Sequence, residues 1–115
     1  MTLDEFRLEM ASYRRSVDDE ASSQKHPYIA IERLCALYGK FDNSERQMAD
    51  QVLGEWALSE DEEVRFDALA LIDDLKIDTA VPALRELATR LASSKAPSAP
   101  YELKKVHRII AVLGI

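Results

Sequence analysis

The sequence predicts an all-α protein of about six helices, and three observations predict that fold class. Apolar residues recur at alternating spacings of three and four along most of the 115 residues, as they do on one face of a helix. No segment alternates apolar and polar residues as a half-buried strand does. The chain has three Gly, four Pro and 47% hydrophobic residues, which favours a regular packed core. We therefore expect a single domain over residues 1–115.

Helix one begins at a capping-box pattern, Thr2 with Glu5, and ends before a small polar stretch at residues 21–26. Pro27 suits the first turn of helix two, and Gly39 marks its end. The apolar stripes of these helices are Leu3, Phe6, Met10, Tyr13 and Val17, and then Ile31, Leu34, Cys35 and Tyr38.

Helices three and four also follow capping-box patterns, Ser44 with Gln47 and Ser59 with Glu62, and helix four ends near Leu75. Their apolar stripes are Met48, Val52, Leu53 and Trp56, and then Val64, Ala68, Leu71, Ile72 and Leu75.

Helix five is predicted to begin at a cap formed by Asp78 or Thr79. A Ser- and Pro-rich loop at residues 93–100 separates it from helix six, which is predicted over Tyr101 to Leu113.

A shift of about 35 residues aligns the apolar residues of helix six with those of helix four, and those of helix five with helix three. The aligned residues are Ala68, Leu71 and Leu75 with Leu103, Val106 and Ile110, and Leu84, Leu87, Ala88 and Leu91 with Ala49, Val52, Leu53 and Trp56. The repeat predicts three successive helix pairs, which is close to the minimum that buries a continuous core.

The middle of the chain resembles a HEAT-like repeat. The residues that carry the resemblance are Val64-Arg65, Ala68, Leu71-Ile72 and Leu75, followed by Ala80, Pro82-Ala83-Leu84 and Leu87. Two features depart from the family pattern: Asp73 stands where many such repeats carry Gly, and helix two lacks the Val-Arg pair. The resemblance implies a short right-handed α-α superhelix of three helix pairs, with helices two, four and six lining its concave surface. An ordinary six-helix bundle is the structural alternative.

The charge is distributed unevenly along the chain. Residues 1–40 hold six basic and seven acidic side chains, residues 41–80 hold three and twelve, and residues 81–115 hold six and two. The acidic middle and the basic last segment would give a solenoid a charge gradient that a partner could recognise.

We find no pattern that predicts catalysis, a cofactor or a metal site. The single cysteine, Cys35, falls in an apolar stripe, and neither His26 nor His107 has neighbours suited to ligation or base catalysis. The N-terminus does not resemble a signal peptide, and no apolar run approaches the length of a membrane helix. We therefore expect a cytoplasmic, non-enzymatic protein without membrane contact.

The candidate binding surface comes from a projection of helix four, which turns an aromatic residue, Phe66, away from the buried stripe. Phe66 packing against a neighbouring helix edge is the alternative. The candidate partner-binding residues are Glu63, Phe66, Asp67, Ala70, Asp73 and Asp74 of helix four, and Lys104, Lys105 and Arg108 of helix six.

The leading functional hypothesis is a non-catalytic protein-binding module whose acidic concave surface recognises a basic region of another protein. Small HEAT-like proteins resemble some immunity or antitoxin-type inhibitors, so the partner could be a toxin. The alternative is a nucleic-acid-binding HEAT-like protein, although the acidic middle would repel phosphates. HEAT-like bilin lyases are a weaker family-level alternative. The apolar C-terminal end, Val112, Leu113 and Ile115, is compatible with a monomer or a weak homodimer.

Overall fold

The structure, a computed structural model, describes residues 2–24 and 29–113, and describes side chains at 2–16 and 31–113. These residues form six α-helices and one 3-10 turn, and no strand occurs among them. The all-α fold class predicted from the sequence is confirmed. The helices are α1 (Leu3–Gln24), α2 (Ile29–Gly39), α3 (Asn43–Ala57), α4 (Glu62–Leu75), α5 (Val81–Ser93) and α6 (Ala99–Val112), and the 3-10 turn (Asp78–Ala80) directly precedes α5.

The N-terminus of α1 has the predicted cap, whereas α3 is capped by a different pair. The Glu5 amide donates to the Thr2 hydroxyl oxygen at 3.2 Å. At α3 the Glu45 amide donates to the Asp42 carboxylate at 2.8 Å, and the Asp42 amide donates back to the Glu45 carboxylate at 3.1 Å. The predicted Ser44 box is therefore wrong, because Asp42 offers a charged acceptor two residues earlier.

The caps of α4 and α5 also differ from the predicted ones. The Asp61 carboxylate accepts the Glu63 amide at 2.9 Å and caps α4, while the Ser59 hydroxyl accepts the Asp61 amide at 3.1 Å. Helix α5 has no side-chain cap, because the 3-10 turn over Asp78–Ala80 leads directly into it.

Two boundaries differ from the predicted loops. Helix α1 continues to Gln24, through the first four residues of the predicted loop at 21–26. Pro27, expected in the first turn of helix two, lies outside the described residues. Helix α6 begins two residues earlier than predicted, with Pro100 in its first turn. Proline is tolerated there because N–H groups in the first turn have no hydrogen-bond partner within the helix.

Backbone proximity groups the chain into two compact units, Met1–Val52 and Leu53–Ile115. The first contains α1, α2 and most of α3, and the second contains α4, α5, α6 and the end of α3. The single domain expected from the sequence stays a prediction, as does the right-handed superhelix.

In the first unit, α1 and α2 form an antiparallel hairpin. Tyr13 of α1 donates its hydroxyl to the Arg33 carbonyl of α2 at 3.5 Å, and Phe6 meets the Phe41 ring, just beyond α2, edge-on at 5.1 Å between centroids. The buried apolar side chains of this unit include Phe6, Met10, Ile31, Leu34, Ala49 and Val52.

In the second unit, the predicted stripe of α5 is buried, and α4 buries a broader arc than predicted. The predicted stripe of α6 is only partly right, because Val106 is buried, Leu103 and Ile110 are half-buried, and Ile109 is buried instead. Leu69 joins Ala68, Leu71 and Ile72 in the core, whereas Val64 is only half-buried. The other buried apolar side chains of this unit include Leu53, Ile77, Val81, Leu84, Leu87, Leu91, Val106 and Ile109. This core fixes α4 and α6, which carry the candidate site.

Candidate functional site

Three side-chain contacts join α4 to α6. Residues with higher numbers on α4 contact residues with higher numbers on α6, so the two helices run parallel. The contacts are the ion pair of Arg65 with Glu102, the cation-π contact of Phe66 with Lys105, and the ion pair of Asp73 with Arg108.

The Arg65–Glu102 pair joins the N-terminal turns of α4 and α6. Arg65 Nε donates to Glu102 Oε1 at 2.7 Å and Nη2 donates to Oε2 at 3.1 Å, so the contact is bidentate. The third nitrogen, Nη1, donates to the Ser59 and Glu60 carbonyls, each at 3.0 Å. The hydrogen bond to Glu102 raises the pKa of Arg65 above its usual value. Because the two side chains are only 15% and 11% exposed, little water competes for this pair.

Beside these contacts lies an open groove of about 910 Å³, which we call the α4/α6 groove. Its exposed apolar surface comes from Phe66 and Tyr101, and charged side chains surround that surface. The lining residues are Glu62, Glu63, Phe66 and Leu69 from α4, Ser98 just before α6, and Tyr101, Glu102, Lys104, Lys105 and Arg108 from α6.

Phe66 is one of the two aromatic side chains that line the groove, together with Tyr101, and is 46% exposed. Lys105 Nζ lies 4.4 Å from the centroid of its ring, a cation-π distance. Burial lowers the pKa of Lys105, and the neighbouring Arg108 charge acts in the same direction. The ammonium group that covers Phe66 is therefore less well hydrated than an exposed lysine, and a ligand could take its place over the ring.

The charges around the groove are only partly neutralised. Arg108 Nη2 lies 3.6 Å from Asp73 Oδ2, near the C-terminal end of α4. Within the part of the chain that the structure describes, Glu62, Glu63 and Lys104 make no ion pair. These three charges are solvent-exposed. They remain available to a partner's charges.

The structure brings most of the predicted surface residues together. Five of them line the groove: Glu63, Phe66, Lys104, Lys105 and Arg108. Asp73 lies beside it through its contact with Arg108, whereas half-buried Ala70 and exposed Asp74 do not line it.

The prediction that Asp67 points outward is wrong, because Asp67 is only 8% exposed. It lies about 100° around the helix from Phe66, within the arc that α4 buries from Asp67 to Ile72. The projection treated α4 as packed along one narrow stripe, whereas the helix is buried over a wider arc.

Sequence reasoning missed Glu62, Leu69, Ser98, Tyr101 and Glu102 as groove residues. Tyr101 was assigned to the start of helix six, and its exposure beside Phe66 depends on how α4 and α6 pack. Glu102 lies 37 positions from Arg65, and no local pattern links them. The Val-Arg pair that supports the HEAT-like resemblance was the only available signal for Arg65.

No protein-family model, curated protein or solved structure matches this chain. Among the described residues, no three His, Cys, Asp or Glu side chains are grouped as metal ligands would be. None of the helices in the described ranges is long and apolar enough to cross a bilayer.

Proposed function

We propose that this protein is a non-catalytic protein-binding module that holds a segment of its partner in the α4/α6 groove. The observation that carries the proposal is the half-exposed ring of Phe66 in an open groove, which is also lined by three exposed charges, Glu62, Glu63 and Lys104, without ion-pair partners among the described residues. Aromatic side chains surrounded by polar residues are typical centres of protein interfaces.

We also infer that the second unit is built from HEAT-like helix pairs. The parallel arrangement of α4 and α6 supports this proposal, because equivalent helices of successive repeats run in the same direction. The contacts of the end of α3 with α5 also indicate a parallel arrangement. A Cβ added at Gly54 would lie 3.7 Å from the Ala83 Cβ, and the Leu58 carbonyl, one residue beyond the end of α3, accepts a hydrogen bond from Arg90 Nη1 at 3.2 Å.

A narrower proposal makes the partner a toxin, which this protein would neutralise as an immunity or antitoxin-type inhibitor. The acidic N-terminal turn of α4 supports a partner with basic groups, as a nuclease toxin would carry. Co-expression with a toxin encoded beside this gene should restore growth, and continued growth arrest would contradict this narrower role.

Display of protein fragments from the host genome, selected on the purified full chain, tests the general proposal. We expect enriched fragments whose binding is lost in Phe66→Ala but retained in Val112→Ala. Val112 is a matched control, because it is 50% exposed and does not line the groove. Both variants should keep the wild-type melting temperature, since both side chains are about half-exposed. Equal binding of the fragments to Phe66→Ala and to wild type would contradict the proposal.

A further inference from the structure

We infer that the segment bound in the α4/α6 groove is dipolar: a basic residue at one end, an apolar anchor in the middle and an acidic residue at the other end. This inference rests on the proposed function and specifies the chemistry of the partner at the same site.

The charges of the groove are ordered along its axis. Because α4 and α6 run parallel, the first turn of α4 marks one end of the groove, and that end carries Glu62 and Glu63. The side chain of Arg108, which reaches Asp73, marks the opposite end. Lys104 and Lys105 lie between Tyr101 and Arg108 along α6. One end of the groove is therefore acidic, and the rest of its charged surface is basic.

The apolar part lies between these charges. The Phe66 ring is one turn beyond Glu62 along α4 and seven residues before Asp73, whose contact with Arg108 marks the opposite end. An apolar side chain of the partner can stack on Phe66 when Lys105 swings away, because an ammonium group on a flexible stem moves at little cost. Lys105 then becomes available to the carboxylate at the acidic end of the bound segment.

The helical rise sets the length of the occupant. From Glu63 to Asp73 the axis of α4 advances about 15 Å. A helical segment covers that distance in about ten residues, and an extended segment covers it in about five. The three elements of the dipolar pattern therefore fit within one short segment of a partner protein.

A segment of a single charge sign fits the groove less well. Lys104, Lys105 and Arg108 would repel a uniformly basic segment. Glu62 and Glu63 would repel a uniformly acidic one. Like charges brought together at an interface disfavour binding. A nucleic-acid backbone is uniformly negative, so the acidic end of the groove would repel it as well.

The test is selection of a displayed library of random peptides of about 16 residues, long enough for either conformation, on the full chain. We expect Phe66-dependent peptides that carry a base, an apolar anchor and an acid in that spatial order. Lys104→Glu should weaken the binding of a selected synthetic peptide by about two- to five-fold, as expected for an exposed charge pair. A peptide with its acidic residue changed to lysine should regain that affinity towards the variant.

Lys95→Glu is the matched control, because Lys95 is also an exposed lysine but does not line the groove. Phe66-dependent peptides without the charge order, or equal effects of Lys104→Glu and Lys95→Glu, would overturn the dipolar inference while leaving the binding module intact. Failure to select any Phe66-dependent peptide would overturn both the inference and the proposed function.

Discussion

Removal of the Arg65 side chain should destabilise the protein far more than removal of an exposed arginine. In Arg65→Met, Glu102 keeps its carboxylate in a site where the residue is only 9% exposed, and it loses a bidentate partner. Breaking a buried pair from one side costs about 3–5 kcal/mol. For a chain of this length that cost lowers the melting temperature by roughly 10–20 °C. Urea unfolding followed by circular dichroism measures the free energy directly.

Arg90 provides the matched control for this measurement. Like Arg65, Arg90 pairs with a glutamate and donates to a backbone carbonyl; its partner is Glu86 of the same helix, at 3.2 Å. Unlike Arg65, its side chain is 54% exposed. We expect Arg90→Met to cost less than about 1 kcal/mol.

The double variant Arg65→Met/Glu102→Leu should recover most of the stability lost in Arg65→Met, because replacing both members of a buried pair by apolar residues is often close to neutral. Similar losses in Arg65→Met and Arg90→Met would refute the reasoning. An unimproved double variant would show that the carbonyl bonds of Arg65 dominate instead.

Three other substitutions test the packing. Leu71→Ala should cost about 2–5 kcal/mol in urea unfolding, because Leu71 is fully buried, and an unchanged midpoint would contradict the assigned α4 register. Gly54→Ala should stabilise the chain by about 1 kcal/mol through helix propensity, since the added Cβ would meet Ala83 at an ordinary 3.7 Å, and a measured loss would show that this contact is too tight. Burial, together with the hydrogen bond to Asp50, raises the pKa of Tyr38 to about 12, so its contribution to stability is present below about pH 10 and is lost as the pH rises towards 12. Asp50→Asn should lower that pKa, which the ultraviolet absorbance of the phenolate reports, and an unchanged titration would assign the shift to burial alone.

The helices could be predicted from the sequence because their signal is local. Spacings of three and four place apolar residues on one face, and this periodicity indicated all six helices, with most boundaries within a few residues. Caps were harder to predict because several acceptors compete close to each helix start. Asp42 and Asp61 outcompete the nearby serines as acceptors for backbone N–H groups, and neither capping-box pattern contains that information.

The candidate site was predictable to the extent that it depends on single helices. The outward direction of Phe66 follows from the phase of α4, and Lys104 and Arg108 follow from the phase of α6. The burial of Asp67 and the pairing of Arg65 with Glu102 depend on how separate helices pack. A projection of one helix contains no information on that packing. The same limit explains why the sequence suggested an acidic surface, whereas the groove carries both signs of charge.

The position of Lys105 over Phe66 also has a consequence for the protein when no partner is bound. Exposed apolar surface in an open groove favours self-association, and the half-exposed Phe66 ring is part of that surface. The Lys105 ammonium group, 4.4 Å from the ring centroid, places a positive charge at that point, and the same charge on two copies disfavours their contact. Under the proposed function, the same side chain disfavours self-association of the free protein and moves aside when the partner segment binds.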